Sequence, residues 1–175
     1  MAQHAPQSPD EVRAFFHDWM ESANTGQWEQ FGQLMHPAIV LDDPMTPEPA
    51  RGRHEALRRA QAQYEPFPDG RIGMVGTPFV SLDRPELAYR WRFVGTHLLR
   101  IDPPGFAPTG QRVVVEGTSV LHFREGQVDH VRLFFDTTDV ARQLLAAPPA
   151  GSPLEHVIAL SQRVRVRLRR RPRRR

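Results

Sequence analysis

Two adjacent carboxylates, Asp42 and Asp43, close the apolar run Ala38-Ile39-Val40-Leu41 and lead straight into a proline-rich loop. Apolar walls disfavour the charge of a carboxylate and strengthen it as a base, so taking a proton from carbon beside a carbonyl is within its chemistry. The same pair also reads as turn formers, because Asp before Pro commonly starts a turn, and either acid could be the inward one. Asp136 has a plainer role, since it precedes Thr137-Thr138-Asp139 and a helical apolar stripe, the position of a capping residue. Eight histidines are present, yet no two stand four apart around a glutamate in a His-Glu-x-x-His pattern, so no metal site is expected. The chain has no cysteine, which removes thiol nucleophiles, disulfides and Cys-ligated zinc or iron–sulfur clusters. It also lacks a Gly-rich phosphate loop, a dinucleotide fingerprint and a Gly-x-Ser-x-Gly elbow, so no cofactor is expected.

Charge divides the chain in two. All 23 basic residues are arginine, and nine of them fall between positions 161 and 175. Residues 1 to 160 hold the other fourteen arginines and all twenty acids, a net of −6, although the whole chain sums to +3. The basic stretch allows nonspecific, salt-sensitive attraction to nucleic acid, acidic lipid or an acidic partner, but the acidic body repels the same polyanions, so a bystander tail is the expected account. No aromatic residue interleaves its arginines, so base stacking is not indicated. No apolar run approaches the roughly 18 residues of a membrane span, and Met1 to Asp10 lacks the basic and apolar regions of a signal peptide. The expectation is a cytoplasmic protein with no membrane insertion.

The elements that must position these residues follow from periodicity. Ser8-Pro9-Asp10-Glu11 has the form of a helix start, and Val12, Phe15, Phe16 and Trp19 recur at helical spacing up to Asn24-Thr25-Gly26. Trp28, Phe31, Leu34 and Met35 mark a second short helix, Ala38 to Leu41 a strand, and Arg53 to about Tyr64 a third helix. Then the period changes. Ile72 to Leu82, Leu87 to Leu99, Arg112 to Phe123 and Val128 to Phe135 read as four strands rich in β-branched and aromatic residues. Helices first and strands later predict an α+β fold with a largely antiparallel sheet. The domain is expected over residues 11–147, after a flexible lead at 1–10. A Pro-rich linker with a short helix at 148–160 and a disordered Arg-rich tail at 161–175 are expected to follow it.

Along Arg112 to Phe123 the odd positions read Val, Val, Gly, Ser, Leu, Phe and the even ones include Glu116, Thr118 and His122, so the odd set is the predicted interior. Arg124-Glu125-Gly126 predicts a three-residue hairpin loop that pairs 123 with 127, since a two-residue turn would force Glu125 to positive φ. Odd positions then share one face, which puts Val131, Leu133 and Phe135 inside and His130, Arg132 and Phe134 outside. The same test puts Tyr89, Trp91, Phe93 and His97 inside and Arg90 and Arg92 outside.

The order of elements resembles the cone-shaped fold of the nuclear-transport-factor-2-like superfamily. Asp43-Pro44-Met45-Thr46-Pro47-Glu48-Pro49-Ala50-Arg51-Gly52 resembles the Asp-Pro loop of ketosteroid isomerases. Gly95-Thr96-His97, Pro108-Thr109-Gly110 and Phe123-Arg124-Glu125-Gly126-Gln127-Val128 look like SnoaL-like polyketide cyclases. The resemblance implies a curved antiparallel sheet wrapped around N-terminal helices, with a mostly apolar cavity in which polar groups transfer protons at carbon. It implies Asp43 as the catalytic base and a hydrophobic carbonyl compound, of polyketide or steroid shape, as ligand. It also puts Trp19 and Ser119 where isomerases hold their oxyanion donors, and Ser119 and Leu133 where SnoaL-like cyclases carry acids. Trp19, Tyr64, Trp91, Phe93, His97, Ser119, Leu133 and Phe135 are the ligand-binding candidates, His97 at the cavity mouth beside the loop from Ile101 to Gly110. A homodimer through the outer sheet face, with Val114, Val120 and Phe134, is expected by the same resemblance. Two other readings share the fold: a noncatalytic binding or dimerisation module, and an epoxide-opening enzyme that needs an interior Asp-Arg-Asp cluster.

Overall fold

The computed structural model describes residues 5–102 and 105–169. Helix α1 (Pro9–Asn24) opens with a reciprocal cap, in which Ser8 Oγ accepts from the Glu11 amide at 3.2 Å and the Glu11 carboxylate accepts from the Ser8 amide at 3.0 Å. Its inner stripe, Val12, Phe16, Trp19, Met20 and Ala23, is buried. Helix α2 (Trp28–Gln33) follows, then strand β1 (Met35–Asp42), the two-residue strand β2 (Ala50–Arg51) and helix α3 (Arg53–Tyr64). The rest of the sheet comes from β3 (Arg71–Met74), β4 (Phe79–Val80), β5 (Glu86–Thr96), β6 (Arg112–Arg124) and β7 (Gln127–Phe135), after which come helices α4 (Thr137–Gln143) and α5 (Pro153–Arg169).

The strands run in the order β2-β1-β7-β6-β5-β3, with β4 beside β5, in one curved, unclosed sheet. β1 pairs with β7 in parallel and every other neighbour is antiparallel. The three N-terminal helices fill the hollow of the sheet, where Phe16, Trp19, Ile39, Leu41, Leu121, Phe123 and Val131 form the core. Full burial of side chains of this size stabilises the fold by about 1.5–3 kcal/mol each. The alternation along β6 places Val113, Ser119, Leu121 and Phe123 inside, as its sequence pattern predicts, and Arg90 and Arg92 of β5 are exposed. Gly117 is required by close packing, since a Cβ there would meet the Trp91 ring at 2.4 Å and the Phe134 carbonyl at 2.7 Å. Asp136 caps α4, its carboxylate accepting from Thr138 and Asp139 amides at 2.8 and 3.0 Å.

Three details differ from the sequence expectations. The β6–β7 hairpin has a two-residue turn, with Arg124 facing Gln127 and positive φ at both Glu125 (52°) and Gly126 (75°). The tight turn matches the twist of the strands, and Asp129 is then left over as a bulge between His122↔His130 and Phe123↔Val128. That bulge restores the odd-with-odd pairing which the three-residue loop was expected to provide. Asp129 is 6% exposed and holds the irregularity together, with His122 Nδ1 at 2.5 Å from Oδ1 and Arg124 Nη2 at 2.8 Å from Oδ2. Second, the expected strand Ile72–Leu82 is split into β3 and β4 around Gly76-Thr77-Pro78, because Pro78 has no N–H for the ladder. Third, α5 continues to Arg169, so residues 161–169 are helix where a disordered tail was expected; the alternation Arg163-Val164-Arg165-Val166 hid a helical spacing. Residues 170–175 of that tail, and 1–4 of the expected lead, lie outside the described residues, and Ala5 within the lead is buried in the core.

Candidate active site

Strand β1 decides between the two neighbouring acids. Met35, Ile39 and Leu41 point into the core, so the next inward position is Asp43, which is only 7% exposed. Asp42 lies on the opposite face, where its Oδ2 sits 2.8 Å from His130 Nε2 and 3.8 Å from Arg132 Nε. The turn reading of Asp43 is realised. Its Oδ1 accepts from the Met45 amide at 2.8 Å and its carbonyl from the Thr46 amide at 3.0 Å, while Oδ2 accepts from the side-chain amide of Gln63 on α3. Arg59 pins the loop by donating to Thr46 Oγ1 at 2.8 Å and to the Glu48 carbonyl at 2.6 Å. The carboxylate is thus held by donors at both oxygens and shielded from water.

Gln63 also lines an interior cavity of about 80 Å³ enclosed by Trp19, Phe31, Ile39, Leu41, Ala60, Tyr64, Tyr89, Val131 and Leu133. Its walls are aliphatic and aromatic, with polar atoms only on Trp19, Gln63, Tyr64 and Tyr89 among the side chains bordering it. Tyr89 is the best-supported donor. Trp19 Nε1 donates to its hydroxyl at 3.2 Å, and behind it Ser119 Oγ accepts from Trp91 Nε1 at 2.9 Å. Burial raises the pKa of Tyr89, opposed by hydrogen bonds from Ser119 and Trp19. The Trp19 indole N–H uses the phenol oxygen as an acceptor, and the phenol keeps one proton of its own to donate. Burial likewise raises Tyr64, helped by the proximity of Tyr89, so both phenols stay neutral donors near neutral pH.

Of the residues expected at the ligand, Trp19, Tyr64 and Leu133 border the cavity. Ser119 stands one hydrogen bond behind it, and Trp91 behind Ser119 packs edge-on against Phe135 at 5.8 Å. Phe93 backs Tyr64 at 5.7 Å and touches Phe67 on its other side at 5.3 Å. His97 is away from the cavity mouth: it is 0% exposed, stacked near Phe67 at 5.5 Å, with Nδ1 3.1 Å from Thr109 Oγ1. Gly110 donates to the His97 carbonyl at 2.9 Å. Two residues escaped the sequence reading as site residues. Tyr89 carries the inward parity of β5, so alternation could have found it, whereas Gln63 lies three and seven positions beyond Ala60 and Ala56 on α3 but is itself exposed, and spacing alone did not mark it.

The cavity is much smaller than the roughly 300–1,000 Å³ of typical ligand sites, so the aromatic lining fills the cone instead of leaving room for a polycyclic ligand. A second, open cleft of about 670 Å³ lies outside it between Thr25, Trp28, Gln61, Phe67 and Arg71. The two spaces share Ala23 and Tyr64, and the Tyr64 ring leans edge-on against Trp28 at 5.5 Å. Among the described residues no group of three His, Cys, Asp or Glu side chains is arranged to hold a metal ion. An interior Asp-Arg-Asp cluster is not formed either, since Arg90 and Arg92 are exposed and Leu133 occupies the wall.

Against known proteins, the profile of the SnoaL-like polyketide cyclase family matches residues 12–144. Among solved structures, a chain from Jannaschia sp. CCS1 named as a SnoaL-like polyketide cyclase superposes with a TM-score of 0.67 at 22% identity, covering 82% of this chain and 98% of its own. A polyketide cyclase by name from Acidithiobacillus ferrooxidans gives 0.63 at 26% identity, covering 79% and 94%. TsrD from Streptomyces laurentii gives 0.68 at 18% identity, covering 81% and 99%. No curated protein matches the chain. The match spans nearly the whole folded body, and the chain belongs to the SnoaL-like polyketide cyclase family.

Proposed function

We propose that the protein is a cofactor-independent isomerase or cyclase, acting by proton transfer on a hydrophobic carbonyl compound. The observation that carries this reading is a buried carboxylate, Asp43, tied through Gln63 to an apolar cavity into which Tyr89 brings a neutral phenol. Asp43 takes the proton from carbon next to the carbonyl, and the electron pair moves onto the carbonyl oxygen, which Tyr89 stabilises by donating its proton into a hydrogen bond. The protonated Asp43 returns that proton to another carbon in an isomerisation. In a cyclisation the enolate carbon attacks a second carbonyl of the same molecule, and the proton goes to the new alkoxide.

Two local movements are needed. Gln63 releases Oδ2 so that the carboxylate meets the ligand, and Tyr64 swings to join the cavity with the outer cleft, whose combined space suits a ligand of more than one ring. Deuterium incorporation from heavy water into a panel of hydrophobic cyclic ketones and 1,3-diketones, followed by NMR, tests the reading. Exchange should depend on the protein and be lost in Asp43→Asn; exchange that survives that substitution assigns the base elsewhere.

A second reading, a binding module without turnover, is favoured by one observation, the about 80 Å³ cavity with Ser119 behind it and Leu133 in its wall in place of acids. Binding of the same ketones with no exchange, unaffected by Asp43→Asn, would support it. We also read the chain as a cytoplasmic homodimer paired through the outer sheet face, where Phe134 is 49% exposed beside Arg132. Sedimentation equilibrium of Phe134→Glu checks the pairing.

A further inference from the structure

Helix α5 has no place in the proton-transfer site, and its surface is unusual for a helix in water. Leu154, Val157, Ile158 and Leu160 are 58, 60, 49 and 61% exposed. In sequence, Val157 and Ile158 stand three and four positions after Leu154 on one side of the helix, which Arg165 shares, whereas His156 falls opposite and Leu160 borders it. At 1.5 Å per residue the four exposed aliphatic positions, 154 to 160, span about 9 Å of a helix about 25 Å long. Charge is just as one-sided. After Glu155 the chain carries nine arginines and no acid. Glu155 itself is already engaged, accepting from Arg142 Nη2 at 2.8 Å and from the Gly151 amide at 2.6 Å. Both contacts anchor the start of α5 to the body, so the segment from 156 onward has no acid of its own to balance it.

We propose that α5 forms a docking element for an anionic lipid surface, lying in the headgroup plane with its exposed aliphatic side chains inserted and its arginines toward lipid phosphates. An apolar stripe combined with a dense positive charge is the composition of helices that lie on membranes, and clusters of four to eight basic residues on such a helix are enough to select acidic lipid. A nucleic acid would satisfy the arginines but leave four aliphatic side chains in water. A second copy of the helix would cover those side chains but bring like-charged arginines together. The element rests on the surface and does not cross it, consistent with no described helix being long and apolar enough to span a membrane. The acidic body, at −6, is repelled by the same surface and is held off it.

The full chain should co-sediment with phosphatidylcholine vesicles containing phosphatidylglycerol, more weakly at high salt, and not with phosphatidylcholine alone. At about 1 kcal/mol per arginine near an acidic membrane, the triple variant R163Q/R165Q/R167Q should lower the partition coefficient about a hundredfold. The variant L154S/V157S/I158S/L160S should lower vesicle binding by a similar factor while leaving weak binding to duplex DNA unchanged. Trp19, Trp28 and Trp91 all lie in the body, so unchanged tryptophan fluorescence verifies that each variant is folded. Equal affinity for DNA and vesicles, with no effect of the four serines on either, would overturn the proposal in favour of a nucleic-acid tether. Loss of a concentration-dependent dimer in the serine variant, with no vesicle binding by the native chain, would overturn it in favour of self-association.

Discussion

Asp42 and Asp43 are consecutive residues on opposite faces of one sheet. Asp42 faces outward between His130 and Arg132, where water and two basic groups share its charge. Asp43 faces the helices, where its charge is met by one backbone amide and one side-chain amide. An exposed ion pair contributes about 0–1 kcal/mol and little chemistry. A shielded carboxylate with two neutral donors is fixed in place. One residue of pleat therefore separates a solvated surface pair from a candidate base.

The strongest way to break that comparison is to neutralise each acid in turn. Asp43→Asn should reduce catalysed proton exchange by about 10²–10⁴-fold, the usual contribution of a positioned base, with the fold retained because asparagine can keep the Met45 contact. Asp42→Asn should leave exchange within about twofold and stability within about 1 kcal/mol. Equal losses from both, measured as exchange rates, would mean that the two faces do not divide as described.

Tyr89→Phe probes the inner face without touching a carboxylate. It removes the phenol from the cavity and strips Trp19 of its acceptor, so unfolding free energy should fall by about 1–3 kcal/mol. Loss of a donor to the developing oxyanion should lower exchange by about 10²-fold with ligand affinity changed far less. Denaturant melts and kcat against KM separate the two effects; a fall in KM-linked affinity alone would make Tyr89 a lining residue.

The histidines sharpen the same contrast. His122 and His130 face each other on the outside, each beside an aspartate, whereas His97 is enclosed and its Nε2 has no partner among the described residues. Burial, the larger effect, lowers the pKa of His97, so its folded form binds a proton less readily than the unfolded chain, whose imidazole titrates near about 6.5. The stability it contributes is complete above that value and is lost as pH falls from there through the lowered value. Urea midpoints at about pH 8 and about pH 5 should differ in the native chain and differ less in His97→Leu. A pH dependence unchanged by that substitution would place the titration elsewhere.

What was legible in the sequence follows from these contrasts. Alternation with a period of two has only two outcomes, so the faces of β5, β6 and β7 could be read from residue types alone, and so could Asp43's place on a loop after an apolar strand. The cavity could not. Its volume depends on how Trp19, Phe31, Tyr64 and Tyr89 meet from four different elements, a distance no local pattern encodes. Gln63 was hidden because a polar residue on an apolar helix side is legible only once its partner, Asp43, is known to face it. In α5 the arginine–valine alternation imitates a strand, while the four aliphatic residues before it keep helical spacing, and the longer pattern governs.

The hairpin at the far end of β6 carries the smallest expected effect and the most local cause. Glu125 adopts φ 52°, a left-handed conformation that costs an ordinary L-residue about 1–2 kcal/mol and asparagine less. A two-residue turn is nevertheless formed, because it matches strand twist and because the Asp129 bulge, held by His122 and Arg124, corrects the register behind it. Glu125→Asn creates an Asn-Gly turn and should raise unfolding free energy by about 0.5–1 kcal/mol, with exchange at the active site unchanged. The gain should persist in Asp129→Ala if turn and bulge act independently. A gain that disappears in the double variant would instead show that the strained turn is held by the bulge, and that the parity of the whole inner face depends on that one extra residue.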